Sequence, residues 1–180
     1  MTTEPHGLYF AAETWFNLAE AALNGWNVGS HTAKECYEKG IAVSMAQWGV
    51  TSYSAYIAST STPIAYTSPD PVFNTRAVSN IPVAFGSTAD VQREQVGTQK
   101  WLALYPSCSP EAWAEFRRTG FPKLLPRMNN ENPDASTDPA SVKRLIYPPN
   151  EAIINSEGYQ LGVQLLGGPD KTSTEVWWNQ

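Results

Sequence analysis

The chain is poor in sulfur and imidazole. Its 180 residues include two cysteines, Cys36 and Cys108, and two histidines, His6 and His31. Two cysteines do not make a disulfide framework, and the sequence leaves open whether they pair. Cys36 falls on the apolar side of an expected helix and reads as a small hydrophobe. Cys108 falls in a loop between two expected helices. Neither histidine has a second His, Cys or carboxylate at ligand spacing on a shared element, so no metal site is expected. No run of apolar residues approaches ~20, so no membrane-spanning helix is expected. Positive charge is also scarce: 12 Lys and Arg stand against 17 Asp and Glu, a net charge of −5. That balance disfavours a nucleic-acid partner. No Gly-x-Ser-x-Gly elbow, phosphate loop or dinucleotide fingerprint occurs. Phosphate, nicotinamide and zinc chemistry are unsupported, and no cofactor is expected.

What the chain does have is length for one domain with a core, and aromatic side chains. Seven Trp, eight Tyr and six Phe are many for this length and must be packed or used. Segment 8–25 reads as an amphipathic helix. Leu8, Ala11, Ala12, Trp15, Leu18, Ala19, Ala22, Leu23 and Trp26 share one face, and Glu13, Asn17, Glu20 and Asn24 form a polar stripe opposite. Thr32 followed by Glu35 is a capping box for a second helix ending at Gly49. The two make a helical hairpin, the unit of tetratricopeptide-like repeats, although no second copy recurs at a fixed period.

Residues 51–87 lack a sustained period, and Pro63, Pro69, Pro71 and Pro82 rule out a long helix there. A short helix is expected near Tyr53–Tyr56. A fourth helix, capped by Ser87 or Thr88, is expected to reach Tyr105 with Val91, Thr98, Trp101, Leu102 and Tyr105 on one side. The next is punctuated by Ser109, Pro110, Gly120 and Pro122. Segment 126–143 reads as an exposed loop. A last helix opens at Asn155 or Ser156, carries Tyr159, Val163 and Leu166, and ends at Gly167.

Each candidate chemistry has a plain alternative. Glu13 and Glu20 lie about 10 Å apart along one helix, near the carboxylate separation of inverting glycosidases. One helix cannot place two acids on opposite faces of a sugar, so the plain reading, a polar stripe between helices or toward solvent, is preferred. Arg117 and Arg118 could bind an anionic sugar through bidentate hydrogen bonds. A structural role is preferred, because cations suit the last turn of a helix. Trp15, Trp26, Trp48, Trp101 and Trp113 sit in helical patterns and read as core. Tyr53, Tyr56, Tyr66 and Phe73 lie in the irregular segment and are the candidates for ligand contact, since loops are where binding groups concentrate.

The motif Arg144-Leu145-Ile146-Tyr147-Pro148 is followed by Glu151, Asn155, Gly167-Gly168 and Trp177-Trp178-Asn179. Together with segments 99–106 and 111–122, it resembles the C-terminal part of SusD/RagB-like proteins. These are surface lipoproteins of Bacteroidetes that bind glycans, or sometimes peptides, for an outer-membrane transporter. The resemblance implies an all-α fold of tetratricopeptide-like hairpins with long irregular loops, an extended tail, and a location at the outer-membrane surface. It implies a SusC-type TonB-dependent partner, an oligosaccharide ligand and no catalytic residues. It also makes Arg117, Arg118, Trp177 and Trp178 structural, with at least one of the terminal tryptophans packed on the helical body to hold the tail.

Such a protein should begin with a secretion signal and a lipidated cysteine, which residues 1–6 do not supply. The chain is therefore expected to be a single C-terminal piece, 1–180, with irregular loops at 60–86 and 126–143. The remaining N-terminal part of the same protein is then a partner, and an exposed apolar patch is expected where that part is missing. Two other functions compete with glycan capture: a helical protein-interaction module with no small ligand, and a small glycan-cleaving enzyme.

Overall fold

A computed structural model of the chain describes residues 9–125 and 142–179. Those residues form seven α-helices and two short 3-10 turns, with no strand among them. The fold is all-α, with hairpins of the tetratricopeptide-like type. It divides into two compact units, Met1–Tyr66 with Arg76–Lys123, and Thr67–Thr75 with Leu124–Gln180. A reading of the chain as one piece does not anticipate this division. Most of the expected loop at 126–143 lies outside the described residues.

In the first unit, α1 (Ala11–Leu23) and α2 (Ala33–Gln47) form the expected hairpin. The Thr32 hydroxyl accepts from the Glu35 N–H at 3.2 Å, and the Glu35 carboxylate accepts from the Thr32 N–H at 2.8 Å. Two donors that the helix leaves unpaired are thus satisfied reciprocally. The hairpin closes tightly because Gly40 has no side chain: a Cβ there would sit 2.7 Å from the Phe16 ring. Ala12, Phe16 and Ala19 of α1, with Cys36, Tyr37 and Ile41 of α2, make the centre of the core. Cys36 and Cys108 are both free thiols, and Cys36 is buried as a small hydrophobe.

The short α3 (Ser54–Ile57) precedes the irregular segment. α4 (Ala89–Leu104) packs on the hairpin and α5 (Ser109–Thr119) on α4. The expected face of α4 is corrected. Leu102 and Tyr105 are exposed, whereas Glu94, Gln95, Gln99 and Lys100 are buried beside Val96, Ala103 and Leu104. Each of these polar groups has at least one partner from elsewhere in the chain, as buried polar groups require. Gln95 shows how. Its Nε2 donates to the Pro82 and Ala84 carbonyls, both at 2.8 Å, and its Oε1 accepts from the Gly86 N–H at 2.9 Å. The Tyr37 hydroxyl donates to the Val83 carbonyl at 2.8 Å. Residues 82–86 have no regular structure, yet they are strapped to two helices. α5 ends at Gly120, whose φ of 73° is open to glycine without strain. Its N-cap is Cys108, one residue before the expected Ser109.

The tryptophan reading is also corrected. Trp15 is half-buried against the core, but Trp26, Trp48 and Trp113 are exposed. Trp26 and Trp48 lie just past the ends of α1 and α2, where the chain has turned away from the helical face. Trp113 instead lies under the Arg117 guanidinium, 4.5 Å from its ring centre.

In the second unit, α6 (Glu151–Ile154) leads into α7 (Ser156–Leu166), which stops at Gly167 as expected. Tyr159, Val163 and Leu166 are its more covered residues, but none is fully buried. A polar network anchors this unit. The Arg144 guanidinium donates to the Asp170 carboxylate, which also accepts from the Tyr147 N–H at 3.2 Å and the Tyr159 hydroxyl at 3.4 Å. Burial works against the Asp170 carboxylate, but these donors outweigh it and hold its pKa below the usual range. The tail ends in a 3-10 turn, Trp177–Asn179, rather than an extended segment. Trp177, 80 % exposed, is largely open, whereas Trp178, 50 % exposed, is half covered. The two indoles pack edge to face on each other, centroids 5.3 Å apart.

Candidate functional site

Two cavities in the first unit share a wall. One, of about 430 Å³, is lined by residues including Phe16, Ile41, Met45, Trp48, Gln99 and Tyr105. The other, of about 490 Å³, includes Ser59, Ser61, Thr62, Pro63, Thr98 and Gln99 in its lining. Tyr56, Gln99 and Leu102 line both. The wall is therefore a side-chain pair from α3 and α4: Gln99 Nε2 donates to the Tyr56 hydroxyl at 2.9 Å, and the hydroxyl lies 3.3 Å from Gln99 Oε1. The short α3 brings Tyr56 to this place, and the buried polar face of α4 supplies Gln99.

The two chambers differ in chemistry. The first has a floor of buried Phe16, Ile41 and Ala103, and none of the described residues that line it carries a charge. The second is rich in hydroxyls from the irregular segment, and Lys123, the one ionic residue among the described residues that line it, pairs with Glu94 at 3.5 Å. Both volumes lie in the ~300–1,000 Å³ range of small-molecule sites. A neutral, hydroxyl-bearing ligand with apolar faces fits this pairing.

Of the four aromatic candidates for ligand contact, Tyr56 lies in both cavities. Tyr53 is half-buried at the start of α3, and Tyr66 is exposed at the end of the unit's first segment. Phe73 belongs to the second unit, in the 3-10 turn Pro71–Phe73. Sequence reasoning misses Gln99, Trp48 and Tyr105. Trp48 and Tyr105 each sit at a helix C-cap, and that position is the available signal that they leave the core face.

The charged residues form a separate cluster. Arg118 makes a bidentate pair with Glu20, both contacts 2.6 Å, and a second with Glu115 at 3.1 and 3.0 Å. Lys100, buried, pairs with Glu115 at 3.1 Å and donates to Asn17 at 2.8 Å. Burial alone would raise the Glu115 pKa, but Arg118 and Lys100 hold it below the usual carboxylate range. The hydrogen bonds that Arg118 donates to Glu20 and Glu115 push its own pKa further up. Glu13 has the opposite fate: burial raises its pKa, Lys100 offsets part of that, and Glu111 and Glu115 add to it. The carboxylate stripe of α1 thus meets α4 and α5 as an inter-helix network, with Glu20 engaged by Arg118. Among the described residues, no group of three His, Cys, Asp or Glu could hold a metal ion.

The chain matches the family described as SusD-like, Susd and RagB outer membrane lipoprotein, over residues 1–179. It belongs to the SusD-like family. Among solved structures it is similar to a chitin-binding SusD homologue from Flavobacterium johnsoniae, with 43 % identity and a TM-score of 0.82 over 94 % of this chain and 36 % of that one. A SusD homologue from Bacteroides thetaiotaomicron is 35 % identical with a TM-score of 0.85, over 99 % of this chain and 39 % of that one. A third, from Bacteroides uniformis, is 38 % identical with a TM-score of 0.83 over 94 % and 36 %. The chain thus spans a little over a third of the length of these SusD homologues. No curated relative matches it. Among the described residues, no helix is long and apolar enough to cross a membrane.

Proposed function

We propose that this chain is part of a glycan-binding lipoprotein at the outer-membrane surface. It captures an oligosaccharide and passes it to a SusC-type TonB-dependent transporter. The observation that carries this reading is the family match together with 43 % identity to a chitin-binding homologue. The paired cavities at Tyr56 and Gln99 support it, because they offer a mostly neutral, partly hydroxyl-lined recess of suitable size. Binding without turnover is the preferred chemistry. Glu20 is held by Arg118, Glu13 is buried on the same helix, and neither lines either cavity. A general acid and base must both reach the bond they break.

Native electrophoresis through gels cast with a panel of polysaccharides tests this reading. Retardation by at least one glycan, with no new reducing ends after long incubation, is the expected result. Equal mobility in every gel would sink it. Co-purification with a co-expressed TonB-dependent transporter tests the hand-over.

A second reading, a helical interaction module, is favoured by one observation. Ile153, Ile154, Leu161 and Leu165 on α6 and α7 are all exposed, an arrangement that marks contact surfaces in soluble proteins. Retention of a partner by a chain that no glycan retards would favour it.

A further inference from the structure

We propose that the apolar chamber is a subsite for an acetamido sugar: the Gln99 carboxamide meets the acetamido group and Trp48 stacks on the pyranose ring. The inference rests on the glycan-binding reading and names its ligand class and contacts.

The chemistry of the chamber narrows the choice. Gln99 is only 8 % exposed, and its partner among the described side-chain hydrogen bonds is Tyr56. A carboxamide has two N–H donors and an oxygen with two lone pairs. One aromatic hydroxyl leaves a donor and an acceptor open, and buried polar groups need partners. The complement of an open N–H beside an open C=O is another secondary amide, offering its own C=O and N–H.

The surroundings of Gln99 suit the rest of an acetamido group. Phe16, Ile41 and Ala103 are buried apolar residues of the same lining, where a methyl displaces water at no polar cost. None of the described lining residues is charged. A free amino sugar would bring an ammonium with no counter-charge, and a uronic acid a carboxylate with none, so both are disfavoured. A plain hydroxyl in place of the acetamide would meet the carboxamide but leave the apolar floor uncovered. At the rim, Trp48 is 59 % exposed and Tyr105 71 %, and both line the chamber. Exposed flat rings beside a recess are where the apolar C–H face of a pyranose stacks. The hydroxyl-lined chamber beyond Tyr56 then takes a neighbouring ring of the oligosaccharide.

Isothermal titration of the chain with three trisaccharides tests the proposal: fully N-acetylated chitotriose, its deacetylated form, and cellotriose. Saturable binding of the acetylated sugar is expected, with the other two at least about tenfold weaker, the worth of one or two hydrogen bonds and a buried methyl. Trp48→Ala removes an exposed ring and leaves the fold intact by circular dichroism. It is expected to weaken acetylated chitotriose about tenfold, as loss of a central aromatic contact does. Gln99→Leu is expected to erase the preference for the acetylated sugar. If that variant does not fold, the sugar comparison and Trp48→Ala decide the matter. Equal affinity for the three sugars overturns the proposal, as does an unchanged affinity in Trp48→Ala. Binding of other glycans alone, indifferent to Trp48, overturns it and leaves the glycan-binding reading standing. Failure to bind any glycan ends both.

Discussion

The two units of this chain are held together by different physics. In the first, the buried apolar residues of α1, α2 and α4 form a core, and Phe16 sits at its centre against Gly40. In the second, the described residue that is buried is a charged one, Arg144, and the helices α6 and α7 leave most of their apolar side chains exposed. One unit is stabilised mainly by apolar area removed from water, the other by a guanidinium–carboxylate centre with tyrosines around it. The first kind is non-directional and involves no titrating group. The second is directional and depends on protonation.

The sharpest way to break this comparison is to truncate one large apolar side chain in each unit. Phe16→Ala removes a fully buried ring and is expected to cost about 3–5 kcal/mol, read as a lower midpoint in urea. Leu165→Ala on α7, an exposed position, is expected to change stability by no more than about 0.5 kcal/mol. Similar losses in the two variants would mean that α7 is packed in solution and the contrast is wrong.

Next in size is the polar anchor. Asp170→Asn removes the charge that Arg144, Tyr147 and Tyr159 share. It is expected to cost about 1–3 kcal/mol, the penalty for leaving a buried donor poorly paired. The loss should appear in hydrogen exchange of 143–172 and leave α1 and α2 protected. The pH dependence follows from the sign of the shift. The folded pKa of Asp170 is depressed, so its contribution is present above the unfolded value of about 3.9 and is lost as pH falls through the folded value. Exchange in this unit should rise in acid below about pH 4, and the Asn variant should lack that rise.

A local cap separates the units in a third way. Thr32→Ala deletes the capping box of α2 and is expected to cost about 1 kcal/mol. Thr32→Ser should retain most of the stability, since its hydroxyl reaches the same N–H. A loss as large as that of Phe16→Ala would show that α2 depends on its cap more than on its core face.

The smallest effect concerns Glu13. Its folded pKa is raised, chiefly by burial, so folding favours the protonated acid. The first unit should gain a little stability as pH falls from neutrality toward the usual carboxylate range, opposite in sign to Asp170. Glu13→Gln should remove that gain and leave neutral-pH stability equal or slightly higher. A stabilising slope of the Asp170 sign at this residue would mean that Lys100 outweighs burial there.

Much of the helical punctuation is legible in the amino-acid sequence. The Thr32–Glu35 box, Gly120 and Gly167 are local signals: hydrogen bonds over three or four residues, or a φ that favours glycine. Of the residues that line the paired cavities, Tyr56 alone stands out in the sequence as a ligand contact. Gln99 is a polar residue at the edge of the apolar stripe of its helix, and nothing near it in sequence announces its partner 43 residues away. Trp48 and Tyr105 continue the apolar spacing of their helices, although each stands at the last step, where the chain leaves the helical face.

The sequence by itself therefore determined several helix caps and stops, the all-α class and the family, because these rest on short-range hydrogen bonding, backbone limits and ordered motifs. Tertiary structure alone decided which side of α4 is buried. A polar residue enters an interior when distant groups satisfy it, as Asn17 does for Lys100 across 83 residues and the carbonyls of 82 and 84 do for Gln95. Periodicity counts apolar side chains and is blind to such partners. The exposure of Trp177 and Trp178 was decided in the same way, because an indole is buried only where a surface exists to receive it.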